Sequence, residues 1–187
     1  PKEPNQGAQD ILAKYYYVDT QKEINRTALK TALGHYDRMK DDLENKDYLT
    51  VIDFSKHSGK KRFYLIDMNS GNVRSYHTAH GSGGDPDHDG YVDTFSNVAE
   101  SKMSSLGLYM TAETYKGQHG HSLRLDGLSS TNSNARKRAI VVHGADYVDE
   151  RASKMGRSWG CPALSLEYYY DVIETIKEGS LMYAYHP

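Results

Sequence analysis

From Tyr48 to Tyr185 the sequence is a series of short β-rich runs separated by turn sequences, and this punctuation constrains the fold more than any other feature. Tyr48–Phe54, Arg62–Met68 and Val73–His80 are such runs, with Ser58-Gly59-Lys60 and Asn69-Ser70-Gly71-Asn72 between them. They predict an antiparallel meander. A long polar loop follows from Gly81 to Ser101. Further strands are expected at Leu108–Ala112, Ser122–Leu125 and Ala139–His143. Ser165 is placed to cap a helix that ends before Gly179, and Leu181–Tyr185 reads as a closing strand.

The N-terminal part has a different period. Thr20-Gln21-Lys22-Glu23 matches a capping box, in which hydroxyl and carboxylate satisfy free helix amides. Ile24, Ala28, Ala32, Tyr36, Met39 and Leu43 then recur at three- to four-residue steps, the buried stripe of an amphipathic helix. A shorter helix is expected around Ala8–Tyr17. The expected organisation is mostly β (α+β): a helical segment over residues 1–46 packed on a β domain over 47–187, together one compact unit.

A chain of 187 residues is long enough to bury roughly 70% of its unfolded surface without staples. With 37% hydrophobic and 26% charged residues it has an ordinary globular composition. No run approaches the ~20 apolar residues of a membrane span, so no transmembrane segment is expected. The formal net charge of -2 gives no electrostatic case for a nucleic-acid partner. The 16 tyrosines against 3 phenylalanines fit half-exposed strand faces, or a surface that binds sugar or peptide. A single cysteine, Cys161, excludes an intramolecular disulfide and a multi-cysteine zinc site.

That cysteine lies eighteen positions after His143, in Gly156-Arg157-Ser158-Trp159-Gly160-Cys161-Pro162. A free thiol is only a few per cent thiolate at neutral pH, so a useful nucleophile needs a base beside it. His143, ending the apolar run Ala139–Val142 and followed by Gly144, is placed to supply one. The backbone amides of Trp159, Gly160 and Cys161 form a candidate oxyanion hole. The plainer alternative is a small buried Cys and a polar His at a strand end. Histidine before cysteine is the reverse of the papain-like order.

These residues resemble the L,D-transpeptidase (YkuD-type) catalytic domain family. His143-Gly144, a fourteen-residue spacer from 144 to 157 and Ser158-Trp159-Gly160-Cys161 follow that family's pattern. The motif Gly-Arg-Ser-x-Gly-Cys-Pro-Ala-Leu is similar to that of its murein transpeptidase subfamily. Ser104-Ser105-Leu106-Gly107, Tyr115-Lys116-Gly117, Ser122-Leu123-Arg124-Leu125 and Gly179-Ser180-Leu181 extend the likeness over about residues 48 to 185. The resemblance implies an L,D-transpeptidase-like β-sandwich. It also implies Cys161 as nucleophile, His143 as base and acid, and the Gly144 carbonyl orienting the imidazole. The substrate would be peptidoglycan stem peptides, attacked at the L-to-D bond after the third residue. An amine acceptor gives a third-to-third crosslink, and water instead gives an L,D-carboxypeptidase. The resemblance implies the periplasm or cell envelope, reached by export; because the sequence opens on Pro1 rather than Met, any signal peptide is expected to have been lost.

Two departures stand out. Trp159 replaces the family's second histidine, and Ala163 replaces a polar residue, whose contribution is expected from elsewhere, such as Arg157. Arg157, Ser158, Tyr115 and His80 are candidate substrate contacts, with Tyr115 on a possible lid. Trp159 also admits a non-catalytic cell-wall binding module.

No cofactor is required by this chemistry. Asp85-Pro86-Asp87-His88-Asp89-Gly90 matches most of a calcium loop, with Asp85, Asp87 and Asp89 as ligands, but Ser96 stands where the bidentate glutamate belongs. A solvated acidic loop is the alternative, and an ion there would order the loop. His119-x-His121 with His143 is the competing three-histidine zinc reading.

Overall fold

The protein is described by a computed structural model over residues 11–187. Its eight strands are β1 (Tyr48–Asp53), β2 (Phe63–Asp67), β3 (Val73–Tyr76), β4 (Gly107–Gly117), β5 (Gly120–Gly127), β6 (Val141–Ala145), β7 (Ala163–Ser165) and β8 (Leu181–Tyr185). They join one mixed sheet in the order β3-β2-β1-β8-β4-β5-β6-β7. β1 and β8 run parallel, as do β6 and β7, and the other neighbours are antiparallel. The expected meander is β1-β2-β3.

Successive residues of a strand face opposite sides, and the central strands bury both. In β2, Phe63 and Leu65 enter one core while Tyr64 and Ile66 enter the other. In β8, Leu181 and Tyr185 face one core, and Met182 and Ala184 the other. Helix α2 (Tyr169–Ile176) fills the first core with Val172, Ile173 and Ile176, against residues from both ends of the curled sheet. Helix α1 (Arg26–Met39) covers the second through Ala28, Leu29, Ala32, Leu33 and Tyr36. Helix α1 therefore shares the second core with β1, β2 and β8.

Several boundaries differ from those read in the sequence. Thr20–Glu23 is a turn. Asp19 and Lys22 have positive φ, and the Asp19 carboxylate accepts the Glu23 and Ile24 amides. The helix begins after Asn25, whose side chain accepts from the amides of Thr27 and Ala28. The expected helix at Ala8–Tyr17 lies partly outside the described residues; within them residues 11–14 are helical and turns follow. Ser165 ends β7 and donates to Glu150 Oε1 at 3.3 Å, and α2 starts from Tyr168 without a side-chain cap. The hairpin β4–β5 extends beyond the apolar runs, because its outer half is only part-buried.

Leu33, on the inner face of α1, is fully buried. Leu33→Ala is expected to lower stability by about 2–5 kcal/mol in urea unfolding. A loss below about 1 kcal/mol would show that α1 is not part of the core.

Candidate active site

β6 and β7 build the site. Their parallel register sets His143 opposite Ala163, so Cys161, two residues earlier, reaches the level of Val141. Val141 and His143 share a strand face, and the thiol arrives on it: the Val141 N–H donates to Cys161 Sγ at 3.4 Å. Cys161, His143, Tyr115, Gln118, His119, Arg138, Tyr147, Arg157, Ser158 and Trp159 are among the residues lining a cavity of about 430 Å³.

The chemistry of each group follows from its partners. His143 is buried, and its Nδ1 lies 2.9 Å from the Gly144 carbonyl. A carbonyl only accepts, so Nδ1 carries the proton and Nε2 keeps a lone pair. Burial holds this imidazole below its ordinary pKa of 6.5, the Gly144 hydrogen bond opposes, and nearby His119 adds to the lowering. The His119 ring stacks on His143 at 4.2 Å and 17°. Burial pushes the Cys161 thiol up, against the Val141 amide and the Arg138 charge. The thiol donates to the Ala139 carbonyl at 3.5 Å, and Ala139 takes a left-handed φ of 53°. Both shifts favour the uncharged forms, imidazole and thiol.

The turn before Cys161 is tightly specified. Gly160 has φ 118°, and a Cβ there would lie 2.6 Å from the Met103 carbonyl oxygen, so no other residue fits without movement. Ser158 Oγ donates to the Cys161 carbonyl at 2.7 Å and accepts the Gly160 N–H at 3.1 Å. The Gly160 amide is therefore engaged inside the turn. Among the described residues no acceptor takes the Trp159 or Cys161 N–H, which leaves two of the three expected oxyanion donors. Gly144 is buried against Tyr169, whose ring a Cβ would meet at 2.6 Å.

The other expected contacts divide. Tyr115 lines the cavity from the β4–β5 hairpin, with the Arg124 guanidinium 3.9 Å from its ring centroid. Trp159 is 73% exposed at the rim, with Lys102 Nζ 4.9 Å from its ring. Arg157 lines the cavity and donates to the Asp85 carbonyl. His80 is not a lining residue, because it is completely buried. Its Nδ1 lies 2.7 Å from Arg62 Nη2 and its Nε2 2.9 Å from Asp85 Oδ2. Arginine only donates, so Nε2 carries the proton toward Asp85. The His80 carbonyl in turn accepts the Ser158 N–H at 2.9 Å, which ties this buried chain to the cysteine turn.

The metal candidates fare differently from each other. Asp85, Asp87 and Asp89 bring carboxylate oxygens within 4.8 Å of one another. Asp85 is already engaged, by His80, by the Asp89 amide at 2.9 Å and by the Gly90 amide at 3.2 Å. The three histidines do not converge: His119 stacks on His143, and His121 Nε2 contacts Glu174 Oε1 at 2.8 Å. Among the described residues the acidic trio is the one group with metal-ligand spacing.

Residues 20–185 match the L,D-transpeptidase catalytic domain family, and the chain belongs to it. An L,D-transpeptidase from Mycobacterium smegmatis is 14% identical over 75% of this chain and 59% of that one, with TM-score 0.47. An L,D-transpeptidase from Mycobacterium tuberculosis H37Rv is 15% identical over 75% of this chain and 58% of that one, also with TM-score 0.47. The chain thus spans a little under three-fifths of the length of these structures. No curated protein matches the chain.

Buried neutral His80 makes stability depend on pH. Burial and Arg62 lower its pKa from 6.5 to about 4, so the unfolded chain binds this proton first. Stability is full above about 6.5 and falls as pH drops from there toward 4, by an amount on the order of 3 kcal/mol. Melting temperatures from pH 7.5 to 5 are expected to decline in the wild type and to flatten in His80→Gln. Equal slopes would remove His80 as the cause.

Proposed function

We propose that this chain is a peptidoglycan L,D-transpeptidase that works through a Cys161 thioester. The observation that carries this reading is the His143 tautomer: Nδ1–H is held by Gly144, leaving Nε2 as a base in the cavity that Cys161 also lines. Family membership supplies the substrate class.

The thiol turns from the Ala139 carbonyl and gives its proton to His143 Nε2. Sulfur attacks the carbonyl carbon of the third stem residue, and the Trp159 and Cys161 N–H groups hold the oxyanion. As the intermediate collapses, the C–N bond breaks and His143 returns the proton to the departing D-alanine amine. The thioester is then opened by an amine of a second stem, whose proton passes to His143 as the C–S bond breaks and the thiol re-forms. The product is a third-to-third crosslink. Water as acceptor would make the enzyme an L,D-carboxypeptidase, and the dimer-to-tripeptide ratio separates the two.

Thiol, imidazole and backbone amides cover every step, so no cofactor takes part, and a cation at Asp85, Asp87 and Asp89 would serve only to order that loop. The site of action is the cell envelope, outside the cytoplasm. No described helix is long and apolar enough to cross a membrane.

With a purified disaccharide-tetrapeptide, release of alanine is expected from the wild type, is abolished by Cys161→Ala and falls about 10³-fold in His143→Asn. Activity should survive EDTA. The acid limb of kcat/KM should lie below pH 6.5, since His143 stays neutral below its ordinary range. Carbapenems, as strained amides, should add their mass to Cys161. Alanine release by folded Cys161→Ala, or a wild type inert to iodoacetamide, would overturn the enzyme reading in favour of a wall-binding module.

A further inference from the structure

The charges around the thiol are one-sided. Arg138 and Arg157 line its cavity, and among the described residues no aspartate or glutamate does. This is unusual in a chain whose formal net charge is -2. Neither guanidinium is neutralised by its hydrogen bonds, because every partner is a carbonyl or hydroxyl oxygen. Arg138 donates from Nη1 to the Ser96 carbonyl at 2.8 Å, and from Nη2 to Ser101 Oγ at 3.1 Å and the Met103 carbonyl at 2.7 Å. Arg157 donates to the Asp85 carbonyl.

Those bonds also fix where the charge sits. Three of the five N–H groups of Arg138 are held by the 96–103 segment, so the side chain is preorganised, and Nε and one Nη1 hydrogen remain for a ligand. The next residue, Ala139, carries the carbonyl that accepts the Cys161 thiol. An adjoining cavity of about 380 Å³ shares Arg138 and Trp159 and adds Lys102 and Glu100. A fixed, half-buried cation beside the nucleophile, facing no carboxylate in the thiol cavity, is built for an anion on the substrate.

We infer that Arg138, with Arg157 lining the same cavity, forms a carboxylate subsite that reads the free C-terminal carboxylate of the residue leaving the acyl donor. The inference rests on the thioester reading above. It makes Arg138 a specificity residue: donors ending in a carboxylate are preferred to the same donors ending in an amide. The basic residue expected at Arg157 to compensate for Ala163 is thus joined by one from the loop before β6.

The test uses the chain's single cysteine, which makes alkylation report on one thiol. Rates with anionic iodoacetate and neutral iodoacetamide are measured on the intact chain, each divided by its rate on N-acetylcysteine. The normalised iodoacetate-to-iodoacetamide ratio is expected to exceed one by roughly tenfold, the scale of a hydrogen bond to a charged group. It should fall with added salt and collapse toward one in Arg138→Gln, while Arg138→Lys retains most of it. A wild-type ratio near one, or one insensitive to salt, overturns the subsite whether or not the variants fold. An unchanged ratio in folded Arg138→Gln overturns the assignment to Arg138. A thiol inert to both reagents overturns the thioester reading and the subsite with it. The paired donors give the second readout: kcat/KM for carboxylate over amide should drop about tenfold in Arg138→Gln, mainly through KM. Equal use of both donors by the wild type counts against the subsite alone.

Discussion

The parallel pairing of β6 with β7 is the constraint on which the site depends. It is a short contact, three residue pairs from His143–Ala163 to Ala145–Ser165. Parallel strands cannot be joined by a tight turn, so the segment from Asp146 to Pro162 must loop out and return. That return delivers Cys161 to the face of β6 that carries His143. β6 is buried along its whole length, and its position is set by antiparallel pairing with β5, where His143 faces Ser122. The imidazole is thereby fixed by the sheet, and only the thiol rides on a turn.

The polar groups of the turn are answered from below. His80 is sealed from solvent with its two ring nitrogens on Arg62 and Asp85, and its carbonyl takes the Ser158 amide. The Ser158 carbonyl takes the Ser82 amide, and Thr78 Oγ1 donates to the Ala163 carbonyl at 2.8 Å. Buried polar groups stay only where partners meet them. The segment from His77 to Asp85 therefore acts as a cradle under the cysteine turn, and the acidic loop is part of that cradle. Within it Asp85 takes His80 Nε2 and the amides of Asp89 and Gly90.

Much of this was legible in the sequence. The meander and the helix that buries Ala28, Ala32 and Tyr36 follow from period, and family membership follows from the motifs around His143 and Cys161. What was missed has physical causes. Ala163-Leu164-Ser165 is too short to show a strand period, so β7 and its register were invisible. The true cap, Asn25, was masked because Asp19 draws in the Glu23 and Ile24 amides and turns Thr20–Glu23 away from helix. His80 reads as a site residue by proximity in sequence to the loop, whereas its burial is decided by Arg62, eighteen positions away. Arg138 directly precedes the Ala139–Val142 run, and a basic residue at the entry of that strand is its one signal in the sequence.

The proposed reaction depends on a covalent intermediate at one sulfur. Its most direct test is the intact mass of the chain, acid-quenched during turnover of a disaccharide-tetrapeptide. The expected result is an adduct equal to the donor less alanine, mapped to Cys161 and removed by hydroxylamine. Alanine accumulating while the quenched chain stays unmodified, with donor in excess and its side-chain amine acetylated to slow deacylation, would contradict it.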